Sequence, residues 1–161
     1  MIARSLTVLG MLLLTTLALA APPKKIFVSN LKPRNVDAAV TSAIDGAVCN
    51  AVHQDKRFTA VCPDEVKAVM AYDALGGMLG GAQKCEGDDC TERLAKSAQA
   101  DAIVAGSVAK LAEKKFVVTL EMISTVDGKN LGRVEEQVAG GEDVLYERTR
   151  GAVTKLLASI K

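Results

Sequence analysis

The strongest constraint on the fold is a helical repeat that lies between two short apolar runs. Branched apolar residues recur every four positions, at Val40, Ile44, Val48 and Val52. This spacing predicts an amphipathic helix that starts at Val36 and ends at HQDKR, 53–57. The runs at 24–31 and 57–62 predict strands. Since a strand, helix, strand order needs a crossover connection, these two strands should be parallel.

Turn residues and a second helical pattern follow in the first half of the chain. Pro33 lacks an amide donor and should end the first strand, after which Asn35 can cap the helix. A proline and two acidic residues open a second helix, predicted over 63–75. A glycine-rich loop, 76–89, and a short helix, 90–100, come next.

The second half of the chain carries strand patterns. The stretch 101–112 is apolar on both faces and predicts a central strand. Apolar and polar residues then alternate over 114–140, where Asp127–Gly128 supplies a hairpin turn. A mostly apolar helical stripe closes the chain at 141–160. We therefore expect an α/β fold with a mixed sheet of about five strands, parallel in its first half and antiparallel in its second, with helices packed on it.

Residues 1–20 have the layout of a secretory signal peptide. Arg4 precedes an unbroken apolar stretch, and Ala18 and Ala20 form a small-residue cleavage site. We expect cleavage after Ala20, which would leave 21–161 as a single domain with no stable membrane span. The alternative is an uncleaved anchor, for which the stretch is short, since a bilayer needs about 20 residues.

The charge balance and the aromatic content exclude nucleic-acid binding. The chain has 20 Lys and Arg against 19 Asp and Glu, and the loss of Arg4 would make the two sets equal. Nucleic-acid binders need a clustered positive field. The chain also has no Trp, two Tyr and three Phe, so it lacks large stacking platforms for bases or sugars.

Four cysteines lie beyond the leader: Cys49, Cys62, Cys85 and Cys90. In an oxidising compartment an even number favours disulfides over metal-bound thiolates. Cys85 and Cys90 flank an acidic loop in which Gly87 permits a tight turn, so we predict a local disulfide between them. A zinc site would need further ligands, and a redox pair usually has the C-x-x-C spacing. We therefore predict no metal and no cofactor.

The other two cysteines are harder to pair from the sequence. On a helical wheel Cys49 lies away from the Val and Ile face, toward its edge or solvent, whereas Cys62 ends a strand that the helix should cover. An ideal helix over a strand would leave the Cα atoms further apart than the roughly 7 Å that a disulfide allows. Two unpaired thiols are unfavourable in an oxidising compartment, so we predict a Cys49–Cys62 bridge.

No motif supports catalysis. Ser107 to Lys110, SVAK, matches the S-x-x-K of serine acyltransferases, but on a strand residues three apart point to opposite faces. The single histidine, His53, comes without a G-x-S-x-G motif. The adjacent carboxylates resemble solvated charge: Asp88–Asp89, Glu135–Glu136 and Glu142–Asp143. We therefore predict that the protein is not an enzyme.

Residues 24–160 resemble the TolB amino-terminal-domain family and its CsgG-like and LpoB-like relatives among bacterial envelope proteins. The resemblance rests on ADAIVAGSV, 100–108, on STVDGKNLG, 124–132, on VCPDEVKAVM, 61–70, and on the opening strand and helix. It implies a periplasmic, non-catalytic α/β domain that binds other envelope proteins. It transfers no functional residue to this chain, and none of the specific activities of TolB, CsgG or LpoB.

Three functional hypotheses follow. The first is an exported adaptor, periplasmic or outer-membrane-associated, that binds another envelope protein through the loop 76–90 or the wetter face of the hairpin 116–138. The second is a homo-oligomeric, ring-forming subunit of an outer-membrane secretion or envelope assembly. The third is an unrecognised enzyme, for which Ser107, Lys110 and His53 would be the first residues to substitute.

Overall fold

Strands and helices alternate in the first half of the chain, and three strands follow one another in the second. The computed structural model describes residues 23–62, 65 and 88–160. Its elements are, in chain order, β1 (Lys24–Val28), β2 (Lys32–Arg34), α1 (Ala38–Gln54), β3 (Phe58–Val61), α2 (Asp88–Ser97), β4 (Ala102–Ala112), β5 (Lys115–Ser124), β6 (Asn130–Ala139) and α3 (Glu142–Ala158).

All six strands of the described residues form one mixed sheet. The strand order is β3-β1-β4-β5-β6, and β2 also pairs with β4. β1 runs parallel to β3 and β4, and β2 runs parallel to β4. β5 is antiparallel to both β4 and β6. The predicted α/β class and the division into parallel and antiparallel halves are confirmed, with one strand more than expected.

The additional strand is β2, which contains Pro33. β2 pairs with β4 at Ser107–Ala109, beyond the point where β1 pairs with β4 at Ala102–Val104. A proline has no amide to donate, so it fits β2, which pairs only with β4 among the described strands. The sequence pattern missed β2 because three residues around a proline show no alternation of apolar and polar side chains.

Asp37 caps α1, so the prediction that Asn35 would do so is wrong. The Asp37 carboxylate accepts a hydrogen bond from the Ala39 amide at 2.7 Å. Asn35 has a φ of 56°, a left-handed conformation that Asn tolerates better than most residues. Asn35 therefore turns the chain after β2, and the helix cap comes two residues later.

The main core lies between one face of the sheet and the pair of helices α1 and α3. β5 directs alternate side chains into it, as the sequence predicts: Phe116, Val118, Leu120 and Met122. The two helices contribute fully buried aliphatic side chains, among them Ile44, Val48 and Val52 from α1 and Leu145, Val153 and Leu156 from α3. Burial of each such side chain stabilises the fold by about 1.5–3 kcal/mol.

A smaller core lies on the opposite face of the sheet, under α2. Ala95 of α2 packs with Phe27 of β1 and Ile103 of β4. The first half of β4 is therefore buried on both faces, as predicted for a central strand. The second half of β4 is not, and Leu111 near its end is 68% exposed.

A carboxylate on the last strand of the sheet forms ion pairs with two residues of α3. Glu136 of β6 pairs with Lys155 at 2.8 Å and with Arg148 at 3.7 Å. The Glu136 side chain is only 16% exposed, whereas Lys155 and Arg148 are 61% and 63% exposed, so solvent screens the cationic side of both pairs. Its neighbour Glu135 points to the other face of the sheet, as the strand pattern predicts.

Several sequence predictions lie outside the described residues. These are the signal peptide, 1–20, most of the predicted helix and glycine-rich loop, 63–87, and the Cys85–Cys90 disulfide. α2 begins at Asp88, two residues before the predicted helix. Within the part of the chain that the structure describes, no helix is both long and apolar enough to span a membrane.

Gly106→Ala should destabilise the fold, because a Cβ at this position in β4 would overlap the carbonyl oxygen of Thr119 and crowd Leu31 and Leu120. Such overpacking costs about 1–3 kcal/mol, so the urea midpoint of unfolding should fall. The matched control is Gly151→Ala on α3, where a Cβ would meet no atom within 4 Å. This control should stabilise the fold by about 0.5–1 kcal/mol. Equal midpoints for the two variants would contradict the packing described for β4.

Candidate docking face and cysteine cluster

The sheet face opposite α1 and α3 carries rows of small and polar side chains. Paired residues on neighbouring strands point to the same face, so the strand register defines these rows. In the central row, Thr119 of β5 lies between Ser107 of β4 and Glu135 of β6. We call this surface the docking face, and it consists of Lys32, Arg34, Ser107, Ala109, Val117, Thr119, Glu121, Arg133, Glu135 and Gln137.

Among the described residues, no helix packs on the docking face. On β4, α2 covers this face only near Ile103 and the half-buried Ala105. Beyond them the central side chains are half-buried by their neighbours in the sheet, whereas those on β2 and β6 are exposed. The hairpin therefore has the wetter face that its sequence predicts.

Most of the charge on the docking face lies at its two edges. Lys32 and Arg34 lie on β2 at one edge, and Arg133 and Glu135 lie on β6 at the other. Among the docking-face residues on the central strands β4 and β5, Glu121 is the one that is charged. Protein–protein interfaces commonly have a core that is depleted in charge and a polar rim. The docking face has this distribution of side chains.

The turn between β5 and β6 holds an ionised carboxylate beside the docking face. Lys129 Nζ lies 2.8 Å from the Asp127 carboxylate. This bond to Lys129 and a second one to Ser124 lower the pKa of Asp127 to about 2. Because the pKa in the folded state lies below the ordinary value, ionised Asp127 stabilises the turn at neutral pH. That contribution is lost as the pH falls from about 4 toward 2.

A disulfide joins the last turns of α1 to the end of β3. Cys49 and Cys62 are bonded, their Cα atoms are 5.9 Å apart, and both side chains are buried. The predicted pair is therefore present. Of the two positions that the helical wheel allowed for Cys49, the edge of the Val and Ile face is the one observed: its side chain is buried, beside Cys62 and the chain that follows β1.

His53 completes a cluster with this disulfide that sequence reasoning missed. His53 Nε2 lies 3.5 Å from Cys62 Sγ. The ring nitrogen and the two sulfur atoms all lie within 4.8 Å of one another. The available signal was the four-residue spacing of Cys49 and His53, which puts both side chains on one face of a helix. The third member, Cys62, comes from another element, and only the tertiary structure brings it near.

A shallow cleft of about 270 Å³ opens beside the disulfide, between α1 and the chain that follows β1. Its walls include Cys49 and Cys62. Two polar side chains in the cleft already bond to the protein backbone: Thr41 donates to the Asp37 carbonyl, and Asp45 accepts from the Leu31 amide at 2.9 Å. The Asp45 bond holds α1 against the chain between β1 and β2, whereas the Thr41 bond lies within the first turn of α1.

The residues singled out for a possible enzyme do not form one site. Ser107 and Lys110 are on a strand, as predicted, and point to opposite faces. Ser107 belongs to the docking face, whereas the Lys110 ammonium lies 6.0 Å from the centre of the Phe116 ring. His53 lies on α1, on the other side of the sheet from Ser107.

Comparison with known proteins identifies shared folds. No protein-family model and no curated protein matches the sequence. The chain is similar to a dodecameric PelC variant from Paraburkholderia phytofirmans, with 13% identity and a TM-score of 0.58 over 88% of this chain and 90% of PelC. It is also similar to lipoprotein GNA1162 from Neisseria meningitidis, with 16% identity and a TM-score of 0.57 over 84% and 97% of the two chains.

A third similar structure is the LpoB C-terminal domain from Salmonella enterica. The identity is 14% and the TM-score 0.53, over 75% of this chain and 86% of that domain. At such low identities the likeness establishes a common fold, and a fold by itself does not define a function. The LpoB-like part of the sequence resemblance is therefore confirmed at the level of the fold.

Lys129→Met should raise the pKa of Asp127 from about 2 toward its usual value of 3.8, because it removes the strongest bond to the carboxylate. An NMR titration of the side-chain carboxyl carbons would measure the change. The matched control is Lys96→Met, which removes the 2.6 Å pair with Glu92 on α2 and should leave Asp127 unchanged. An unchanged Asp127 pKa in Lys129→Met would contradict the assigned cause.

The Cys49→Ser/Cys62→Ser variant should be less stable than the parent chain. The two cysteines are 13 residues apart, and a loop of this size gives a loss of about 3 kcal/mol in the chain-entropy model. Urea unfolding would measure the difference. A parent carrying Cys85→Ser and Cys90→Ser isolates the effect of this one bond. A reductant should lower the stability of that parent and leave the four-serine variant unchanged, and any other pattern would contradict the assignment.

Proposed function

We propose that this chain is a non-catalytic protein-binding module of the Gram-negative cell envelope, and that its partner protein binds the docking face. The observation that carries this proposal is a four-strand surface whose central residues are uncharged except for Glu121, with the other charges at its edges. None of the described helices covers it. A partner can bury the centre of such a surface when it supplies hydrogen bonds to Ser107, Thr119 and Glu121, while the edges remain in contact with water.

The rigidity of the docking face also supports a binding role. β4 and β5 pair along almost their whole length, and β5 and β6 do the same. The other face of these strands packs on the main core. A backbone held in this way loses little conformational freedom when a partner binds, so less of the interaction energy is offset by ordering of the strands.

Three observations support an exported protein. Residues 1–20 have the pattern of a signal peptide. The Cys49–Cys62 disulfide is of a kind that persists in oxidising compartments and is rare in the cytosol. The fold is also shared with a protein described as a lipoprotein, GNA1162. Together they favour the periplasm or the periplasmic side of the outer membrane.

The charges of the docking face define the kind of partner that fits it. Arg34 would pair with an acidic group at one edge, and Glu135 would pair with a basic group at the other. Between these edges Val117 and Thr119 offer a surface that fits small apolar or hydroxyl side chains. We therefore expect a folded protein surface of matching charge, since complementary charges set orientation and the rate of association.

The variant Thr119→Arg/Glu135→Lys should bind the partner at least about tenfold more weakly than the parent chain, a difference of about 1.4 kcal/mol. This double substitution places two cations at adjacent positions of the central row, one on β5 and one on β6. The matched control is Thr154→Arg/Glu147→Lys, which makes the same chemical changes on the exposed surface of α3. Affinity capture from an envelope extract would identify the partner, and titration with the purified partner would then give each affinity.

Equal binding by the two double variants, with both folded by circular dichroism, would contradict the docking face. A hydrolytic activity on cell-wall peptides or esters that disappears when Ser107, Lys110 or His53 is replaced would contradict the non-catalytic part of the proposal. The two results are distinguishable, because the first measures binding to the docking face and the second measures hydrolytic activity.

A ring-forming subunit is the second candidate. β6 pairs only with β5 among the described strands, so its outer edge can accept a strand from another chain. The similar PelC structure is a dodecamer. Light scattering on the purified chain separates the two candidates: a monomer supports the adaptor, whereas a large assembly of defined size supports the ring.

A further inference from the structure

The Cys49, Cys62 and His53 cluster has the composition of a metal site. Cys49 and His53 lie one turn apart on α1, and Cys62 directly follows β3. Their sulfur and nitrogen atoms lie within 4.8 Å of one another. The Glu65 carboxylate accepts a hydrogen bond from the Cys62 amide at 3.1 Å, which adds negative charge beside the cluster.

The distance from His53 to one of the sulfur atoms fits a tetrahedral zinc ion, whereas the two sulfur atoms, bonded to each other in this structure, must move to about 3.8 Å apart when they bind zinc. Zinc bonds of about 2.3 Å to sulfur and about 2.0 Å to nitrogen, at a tetrahedral angle, place these two ligand atoms about 3.5 Å apart. The distance from Cys62 Sγ to His53 Nε2 is 3.5 Å. Two thiolates and one imidazole are also a donor set that selects zinc over the hard cations calcium and magnesium.

We propose that reduction of the Cys49–Cys62 disulfide creates a Zn²⁺ site whose protein ligands are Cys49, Cys62 and His53. His53 is exposed, so water can reach a fourth coordination position. In the oxidised chain the two sulfur atoms bond to each other and supply no thiolate, and the site does not exist. The proposal does not depend on the proposed docking function.

Electrons and protons balance in the conversion between the disulfide and the zinc-bound form. A dithiol reductant supplies two electrons and two protons to the Cys49–Cys62 bond and becomes a disulfide itself. The two thiols that result lose their protons when they bind Zn²⁺. A disulfide oxidant reverses the exchange: the two sulfur atoms give up two electrons, form the S–S bond again, and release Zn²⁺ to water.

The structural consequence is that α1 stays attached to β3 in both states. In one state the connection is the disulfide, and in the other it is the zinc ion between Cys49 and Cys62. Zinc should therefore restore to the reduced chain part of the stability that loss of the disulfide removes, because an ion that binds only the folded state stabilises it.

Cobalt and zinc titrations of the reduced chain test the site. The full chain carries Cys85→Ser and Cys90→Ser, is reduced with a phosphine, and is freed of reductant under anaerobic conditions. Co²⁺ should produce a thiolate charge-transfer band and the absorption of a tetrahedral ion. One equivalent of Zn²⁺ should abolish both, and it should raise the unfolding temperature. The oxidised chain should show neither signal.

Two variants show whether these three residues are the ligands. His53→Gln should weaken zinc binding at least about tenfold, which corresponds to about 1.4 kcal/mol. The combined change His53→Gln and Gln54→His keeps the composition but moves the imidazole to the next position on the helix, where Gln54 bonds Arg150 at 3.2 Å. It should not restore binding. Cys49→Ser should remove most of the charge-transfer intensity, and Cys62→Ser should do the same.

Three results would overturn the proposal. The first is a reduced chain that shows no cobalt charge-transfer band. The second is equal zinc affinity in the parent and in His53→Gln, which would place the ion elsewhere. The third is a reduced chain that unfolds, as judged by circular dichroism, and that zinc does not refold.

Discussion

The pairing of β4 with its neighbours is the constraint on which the rest of the structure depends. β4 pairs with β1 and β2 on one side and with β5 on the other, so it alone among the described strands joins the parallel and antiparallel halves. Gly106 makes this possible, because a side chain there would occupy the space of the Thr119 carbonyl. The length of β4 matters as well, since β1 pairs with its first part and β2 with a later part.

The alternation of side chains along β4, β5 and β6 divides the molecule into a core face and a docking face. The residues that face α1 and α3 are buried, and this burial prevents the strands from slipping by one residue, which would expose the core. The positions of Ser107, Thr119 and Glu135 in one row follow from the same register. Thus the interactions that stabilise the fold also position the side chains of the proposed binding surface.

Much of the fold was predictable because it follows from periodic local patterns. The four-residue repeat of α1, the alternation along β5 and the Asp127–Gly128 turn each act over short stretches of chain, and each was confirmed. β2 and the Asp37 cap were missed for a physical reason. A three-residue strand around Pro33 exists because β4 extends beyond β1 and offers it an edge, and Asn35 turns the chain there. Neither feature has a periodic signal in the sequence.

The sequence by itself determined the α/β class, the order of the main elements and the wetter face of the hairpin, because these depend on side-chain periodicity and turn chemistry. The tertiary structure decided which distant residues meet. The burial of Cys49 depends on where Cys62 and the chain after β1 lie against α1. The contact between His53 and Cys62 depends on where β3 ends beneath α1. Such contacts arise from the packing of whole elements, which no local stretch of sequence encodes.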